Sequence, residues 1–268
     1  MSTTGYSPGS FAKGPVIVGS ARPQPPRFVL RRRHVLGALL TVIALLVLYL
    51  FAYERTYDGT LVVRAPRPLI LAQGETVDGA LDAGLDGVSV SSRMTSEGDL
   101  LIFDDSGRRG WRFEELVRSI KGRGLAIIEL QRSGLGSSGI EQRAVGVIQR
   151  HDAQLSVVLG SINPLVLYRI KRIDPLVRTA LISSETEEAP WLLRQELIRR
   201  GIRKLIRFDM LSLHRGVDDA TAGRLIEKGW PVVIWPADED GDMRRALSQG
   251  PYGVISGQPI VAPRPRAE

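Results

Sequence analysis

Acidic side chains carry most of the chemistry this chain could do, and several close a strand-like run. Asp104 and Asp105 end "LLIFDD", Glu129 lies near the end of "LAIIELQ" (125–131), and Asp209 closes "KLIRFD" (204–209). Carboxylates gathered from several strand ends would form a site for a hard divalent cation, Mg²⁺ or Ca²⁺, which prefers oxygen ligands. Each acid has a plainer reading as well. Asp104 and Asp105 suit a turn before Ser106-Gly107, and Glu129 suits a hydrogen-bonded carboxylate. Proton transfer near neutral pH calls for histidine, and the chain has three. His34 borders an apolar run, His151 ends a helical pattern, and His214 reads as a surface loop residue after the sixth strand. Trp235, in "PVVIWP" (231–236), either lines a pocket or packs within one. The Gly-rich "SGLGSSG" (133–139) has no Lys after it, so it reads as a flexible loop and not a phosphate cradle.

Composition narrows the setting. There is no cysteine, which excludes disulfides and thiolate metal sites. The net charge is +7, yet Lys13, Arg22, Arg27, Arg31, Arg32 and Arg33 all fall within residues 1–34, which contain no acid. With those six set aside, the 36 basic residues fall to 30, against 29 acidic. The basicity belongs to the tail. A nucleic-acid partner, which needs a basic face on a folded domain, is not expected.

Three regions position these residues. Residues 1–34 are rich in Ser, Gly and Pro, with "PQPP" a local stiff spacer, and read as a disordered cytoplasmic tail. Residues 35–53, "VLGALLTVIALLVLYLFAY", carry no charge over 19 residues. At about 1.5 Å per residue this run reaches roughly 28 Å, enough for one transmembrane helix. It exceeds a signal-peptide core, and Leu50-Phe51-Ala52 is a poor cleavage site. Arg31, Arg32 and Arg33 precede it, whereas Glu54 balances Arg55 beyond it. The positive-inside rule then puts the tail in the cytoplasm and the following domain outside the cell membrane.

Residues 60–268 alternate β-rich runs with amphipathic segments. Eight strands are predicted: 68–73, 87–91, 125–131, 154–160, 178–183, 204–209, 231–236 and 252–256. Helical patterns such as "FEELVRSIKGRG", "PLVLYRIKRI" and "WLLRQELIRRG" separate them, several ending in the Gly that caps a helix. Eight strand–helix repeats predict an α/β fold, a closed parallel (β/α)8 TIM-type barrel, with an open doubly wound sheet as the alternative. "LLIFD" (100–104) is an extra short strand extending the barrel mouth.

Over residues 66–262 the sequence resembles the glycerophosphodiester phosphodiesterase family. "LILAQGETVDGALDAGLDG" follows the rhythm of that family's first strand and its Ala-His-Arg-Gly turn, with Gln73 at the His position. Its Asp-Gly-(apolar)-Glu-x-Asp motif, Thr-x-Asp-Gly turn and His-Asp strand end correspond to Asp86 to Ser91, Thr95 to Gly98 and "LLIFDD". Ser89 and Ser91 then stand where the family has metal-binding acids, and Asp104 where it has its second catalytic His. "LAIIELQ" is similar to the Ile-Glu-x-Lys strand, keeping the metal carboxylate as Glu129 and replacing Lys with Gln131. "GWPVVIWPADED" and "GPYGVISGQP" follow two later segments, with Gly257 in place of an Asp.

The resemblance implies a barrel, a divalent cation held by carboxylates, and two histidines moving protons during phosphodiester cleavage. Here two carboxylates have become neutral hydroxyls and both histidines are gone, and losing one general acid–base group commonly costs about 10²–10⁴ in rate. The expectation is therefore an inactive, membrane-anchored barrel needing no cofactor. Its role would be binding or scaffolding at the membrane, with a phospholipid head group or a membrane protein as partner. The alternative is a remodelled hydrolase using Glu129, Asp104, Asp105 and Asp209 with Mg²⁺ or Ca²⁺.

Overall fold

The computed structural model describes residues 32–52, 59, 62, 66–103, 109–131, 139–183 and 206–258. Among the segments read from sequence, the tail 1–31, Asp104 and Asp105, residues 133–138 and the helical pattern 191–201 lie outside them. The chain divides into two compact units, meeting between Leu45 and Leu46.

Helix α1 (Arg32–Ala52) is built mainly from Leu, Val and Ala, with one aliphatic hydroxyl, Thr41, whose Oγ1 donates to the Gly37 carbonyl at 3.0 Å. That bond satisfies the hydroxyl inside the helix. Leu36, Leu40, Ile43, Val47 and their neighbours are exposed on every side of it. Side chains are described over 34–49, a stretch of about 24 Å at the helical rise. Among the described residues no helix is long and apolar enough to cross a membrane.

The second unit is a closed barrel. Eight parallel strands form its wall: β1 (Leu69–Gln73), β2 (Gly87–Met94), β5 (Leu125–Leu130), β6 (Val157–Ser161), β7 (Arg178–Ser183), β8 (Met210–His214), β9 (Val232–Trp235) and β10 (Gly253–Ser256). Pairing of β1 with both β2 and β10 closes the ring and excludes the open sheet. Two further strands, β3 (Leu100–Phe103) and β4 (Arg109–Arg112), run antiparallel beyond β2 as the expected extension. The described helices are α2 (Val77–Asp82), α3 (Phe113–Ile120), α4 (Ile140–Arg150), α5 (Pro164–Ile173), α6 (Asp219–Glu227) and α7 (Asp240–Ser248).

Strand alternation sorts the core into two layers. Leu71, Ile127, Val158, Ala180, Met210, Val233 and Ile255 fill the barrel interior. Ile70, Val88, Ile128, Leu159, Leu211, Val232 and Val254 face outward into the layer shared with the helices. In α3, Phe113, Leu116, Val117 and Ile120 recur on one helical face, and all four are buried. Asn163 caps α5 by accepting from the Leu165 N–H at 3.0 Å, with Pro164 at the first helical position. Gly87 opens β2 at φ +155°, and a Cβ there would sit 1.8 Å from the Leu125 carbonyl oxygen. No other residue fits.

One strand is displaced from its sequence assignment. The sixth barrel strand is Met210–His214, not 204–209. Phe208 leaves the ladder to stack on Trp230 at 5.2 Å between rings. The Asp209 carboxylate accepts from the Thr179 N–H at 2.8 Å and from its hydroxyl at 3.1 Å, which fixes the strand start.

Candidate functional site at the barrel mouth

In parallel barrels the C-terminal strand ends form the mouth where chemistry is placed. The same alternation that buries Leu71, Ile127, Met210 and Val233 turns Gln73, Glu129, His214 and Trp235 toward the axis at that end. Ser89 and Ser91 share this face through the ladder, with Gln73 opposite Ser89 and Ser91 opposite Glu129. Trp235 lies opposite His214, and the two rings meet edge to face with centroids 5.1 Å apart. His214 accepts at Nδ1 from the Gly216 N–H at 3.2 Å, which leaves Nε2 to carry the proton of a neutral ring. The Trp235 indole N–H is buried and has no hydrogen-bond partner among the described residues.

Glu129 belongs to a relay. The Arg93 guanidinium donates to Gln131 Oε1 at 2.5 Å, and the Gln131 amide donates to Ser91 Oγ at 3.1 Å. Ser91 Oγ in turn donates to Glu129 Oε2 at 3.3 Å. All four lie on two adjacent strands and their immediate ends, with alternate residues on the same face. Arg93 also stands over the Phe103 ring, 5.2 Å from its centroid. A cation at one end of the relay and a carboxylate at the other polarise both neutral links in the same direction.

A divalent cation held by carboxylates does not fit the described mouth. Glu129 is its one acid from the set read in the sequence, Ser89 and Ser91 are neutral, and no group of three His, Asp, Glu or Cys among the described residues could hold a metal. Asp209 does not join them. It precedes β8, so it lies at the opposite end of the barrel, where Lys171 Nζ stands 2.5 Å from its carboxylate. The strand displacement is the cause, since moving the strand five residues on carries Asp209 from its end to its start. The same displacement brings in His214, which its sequence position had assigned to a loop. The available signal was alternation in "MLSLH", where Met210, Ser212 and His214 share a face. His151 ends α4 as read, with Nε2 at 2.8 Å from Glu114. At the base of the barrel interior, burial pushes the Tyr252 phenol up, an effect partly offset by Arg178.

The fold and the site define a closed (β/α)8 barrel with a polar mouth and an antiparallel extension after its second strand, the architecture found in glycerophosphodiester phosphodiesterases. No protein-family model matches the sequence, and no curated protein matches it. Among solved structures the chain is similar to a protein of Silicibacter pomeroyi assigned as a glycerophosphoryl diester phosphodiesterase, at 14% identity and a TM-score of 0.59, covering 74% of this chain and 94% of that one. It is similar to the glycerophosphodiester phosphodiesterase of Thermotoga maritima at 12% identity and a TM-score of 0.55, covering 74% and 97%. An Oleispira antarctica phosphodiesterase, solved in complex with the product sn-glycerol-3-phosphate, matches at 16% identity and a TM-score of 0.51, covering 72% and 94%. At these identities the likeness is one of fold.

Proposed function

We propose that this chain is a membrane-anchored, glycerophosphodiester phosphodiesterase-like barrel that binds a glycerophosphate-type head group at its mouth and does not hydrolyse it. The observation that carries the reading is the Arg93–Gln131–Ser91–Glu129 relay. A serine hydroxyl stands where the family resemblance puts a second carboxylate, and it donates to the one carboxylate kept. Two acids exchanged for hydroxyls remove about two negative charges from the rim. A phosphate can then approach without a metal to screen it. Ser89, Gln73 and the Trp235 indole N–H supply neutral donors for phosphate and glycerol oxygens. Gln73 has no titratable proton, so proton transfer at its position is lost.

The test uses the full chain in detergent with Mg²⁺ or Ca²⁺ and glycerophosphocholine. No release of alcohol above buffer is expected. Calorimetry with sn-glycerol 3-phosphate in EDTA should show binding, weakened about tenfold or more by Ser91→Asp, which restores a negative charge worth at least about 1.4 kcal/mol. Turnover abolished by Glu129→Ala would overturn the reading and establish a hydrolase. The charge-free run 35–53, preceded by Arg31, Arg32 and Arg33, supports the anchor, with the barrel on the extracytoplasmic side.

A further inference from the structure

A second polar cavity lies outside the mouth, where α3 and α4 meet the turn that joins β2 to β3. Its volume is about 340 Å³, and its polar lining is Asp99, Arg112, Glu114, Gln142, Arg143 and Arg150. Charges in this groove are unequally matched. Glu114 is already held, at 2.8 Å from His151 Nε2 and 3.5 Å from Arg150. Arg112 and Arg143 make no side-chain hydrogen bond or ion pair among the described residues. Asp99 is the one acid in the lining not tied to a cation.

Local structure places Arg143 and Arg150 at the groove. Arg143, Gly146, Val147 and Arg150 follow i, i+3, i+4, i+7 on one face of α4. A mid-helix glycine costs about 1 kcal/mol against alanine, and here its missing side chain leaves the space between the two arginines open. Arg143 is backed by the turn Thr95–Asp99. A Cβ on Gly98, at φ +88°, would come 3.0 Å from its Nη2 and 3.4 Å from its Cζ. The turn is itself closed by Gly98 N–H to the Thr95 carbonyl at 3.0 Å, Thr95 N–H to the Asp99 carbonyl at 2.9 Å, and Asp99 N–H to Thr95 Oγ1 at 3.1 Å. The Thr-x-x-Gly element read in the sequence thus forms the wall behind an arginine.

We propose that this groove is a second anion site, which takes a phosphate group between Arg112 and Arg143. Two planar forks with the Gln142 amide beside them match the oxygens of a phosphate, which guanidinium binds in bidentate fashion. Asp99 opposes the anion and sets the affinity below what the arginines alone would reach. The same phosphate chemistry is offered by free phosphate and by the monoester head group of phosphatidic acid, and the experiment separates them.

The full chain is labelled with phenylglyoxal, which modifies free arginine, and the rates at Arg112 and Arg143 are read by mass spectrometry. One arm adds inorganic phosphate to protein in detergent. The other compares nanodiscs of phosphatidylcholine with nanodiscs that also contain phosphatidic acid. Phosphate at a few times its Kd should slow labelling at both residues about threefold or more by mass action, while exposed Arg244 stays unprotected. Asp99→Asn should lower the phosphate concentration needed, and Arg112→Ala should remove the protection of Arg143. Protection only in phosphatidic acid nanodiscs would support the site and name a lipid as its source. Absence of protection in both arms, or equal protection of Arg244, would overturn it.

Discussion

Ser91 and Asp209 show how much a residue's meaning depends on where its strand puts it. Ser91, a neutral residue at a position the family resemblance assigns to an acid, lies 3.3 Å from Glu129 and within a relay that ends on Arg93. Asp209, an acid that looked available for a cation, is a structural group. Its side chain and that of Lys171 are only 10% and 11% exposed, and Thr179 donates to it twice. Lys171 also donates to the carbonyls of Pro175 and Val177, at 3.2 and 2.9 Å. Removing one member of a buried pair leaves the other charge uncompensated, commonly a loss of about 3–5 kcal/mol. Asp209→Ala should therefore lower the denaturation midpoint strongly while sn-glycerol 3-phosphate binding by the remaining folded protein is unchanged. A stable Asp209→Ala protein with lost binding would return Asp209 to the site.

At the scale of elements, pairs of contacts between neighbouring helices hold the outer layer in place. Arg169 on α5 reaches Glu141 on α4 at 3.2 Å. Glu114, in the first turn of α3, meets His151 at the end of α4. The His151 hydrogen bond, followed by the Arg150 charge, holds the Glu114 carboxyl below the usual carboxylate range. A depressed folded-state value contributes stability that is present above the ordinary pKa of about 4.3 and is lost as pH falls through the lower folded value. Wild type should thus exceed Glu114→Gln in denaturant midpoint at neutral pH, and the two should converge in acid below about pH 4. A gap that persists unchanged in acid would show that the carboxylate's charge is not what joins α3 to α4.

For the whole molecule, closure of the ring matters most. β1 pairs with β2 on one side and β10 on the other, so residues far apart in the chain share a single mouth. This is how Gln73, Glu129 and Trp235 come to share one rim although the chain separates them by dozens of residues. The proposed anchor belongs to this scale too. After alkaline carbonate extraction the full chain should stay with the membrane pellet, and a reporter fused to its C-terminus should report an extracytoplasmic location. Release into the supernatant would remove the anchor from the proposed function.

Periodicity alone located seven of the eight barrel strands and the extension after the second, because apolar alternation and glycine caps are local properties that a folded neighbour rarely overrides. The order of those elements sufficed for the barrel. The sixth strand is displaced because "KLIRF" and "MLSLH" each carry three apolar residues, so local pattern does not choose between them, and the Asp209 contacts with Thr179 and Lys171 show where the ladder begins. Which side chains meet at the mouth was decided by tertiary structure for the same reason: a shift of a few residues along a strand moves a side chain from one end of the barrel to the other. Sequence determined the inventory of Gln, Ser and a single Glu at the recognised positions. Strand register and ring closure decided that Glu129 is engaged by Ser91, that His214 faces the axis, and that Asp209 does not.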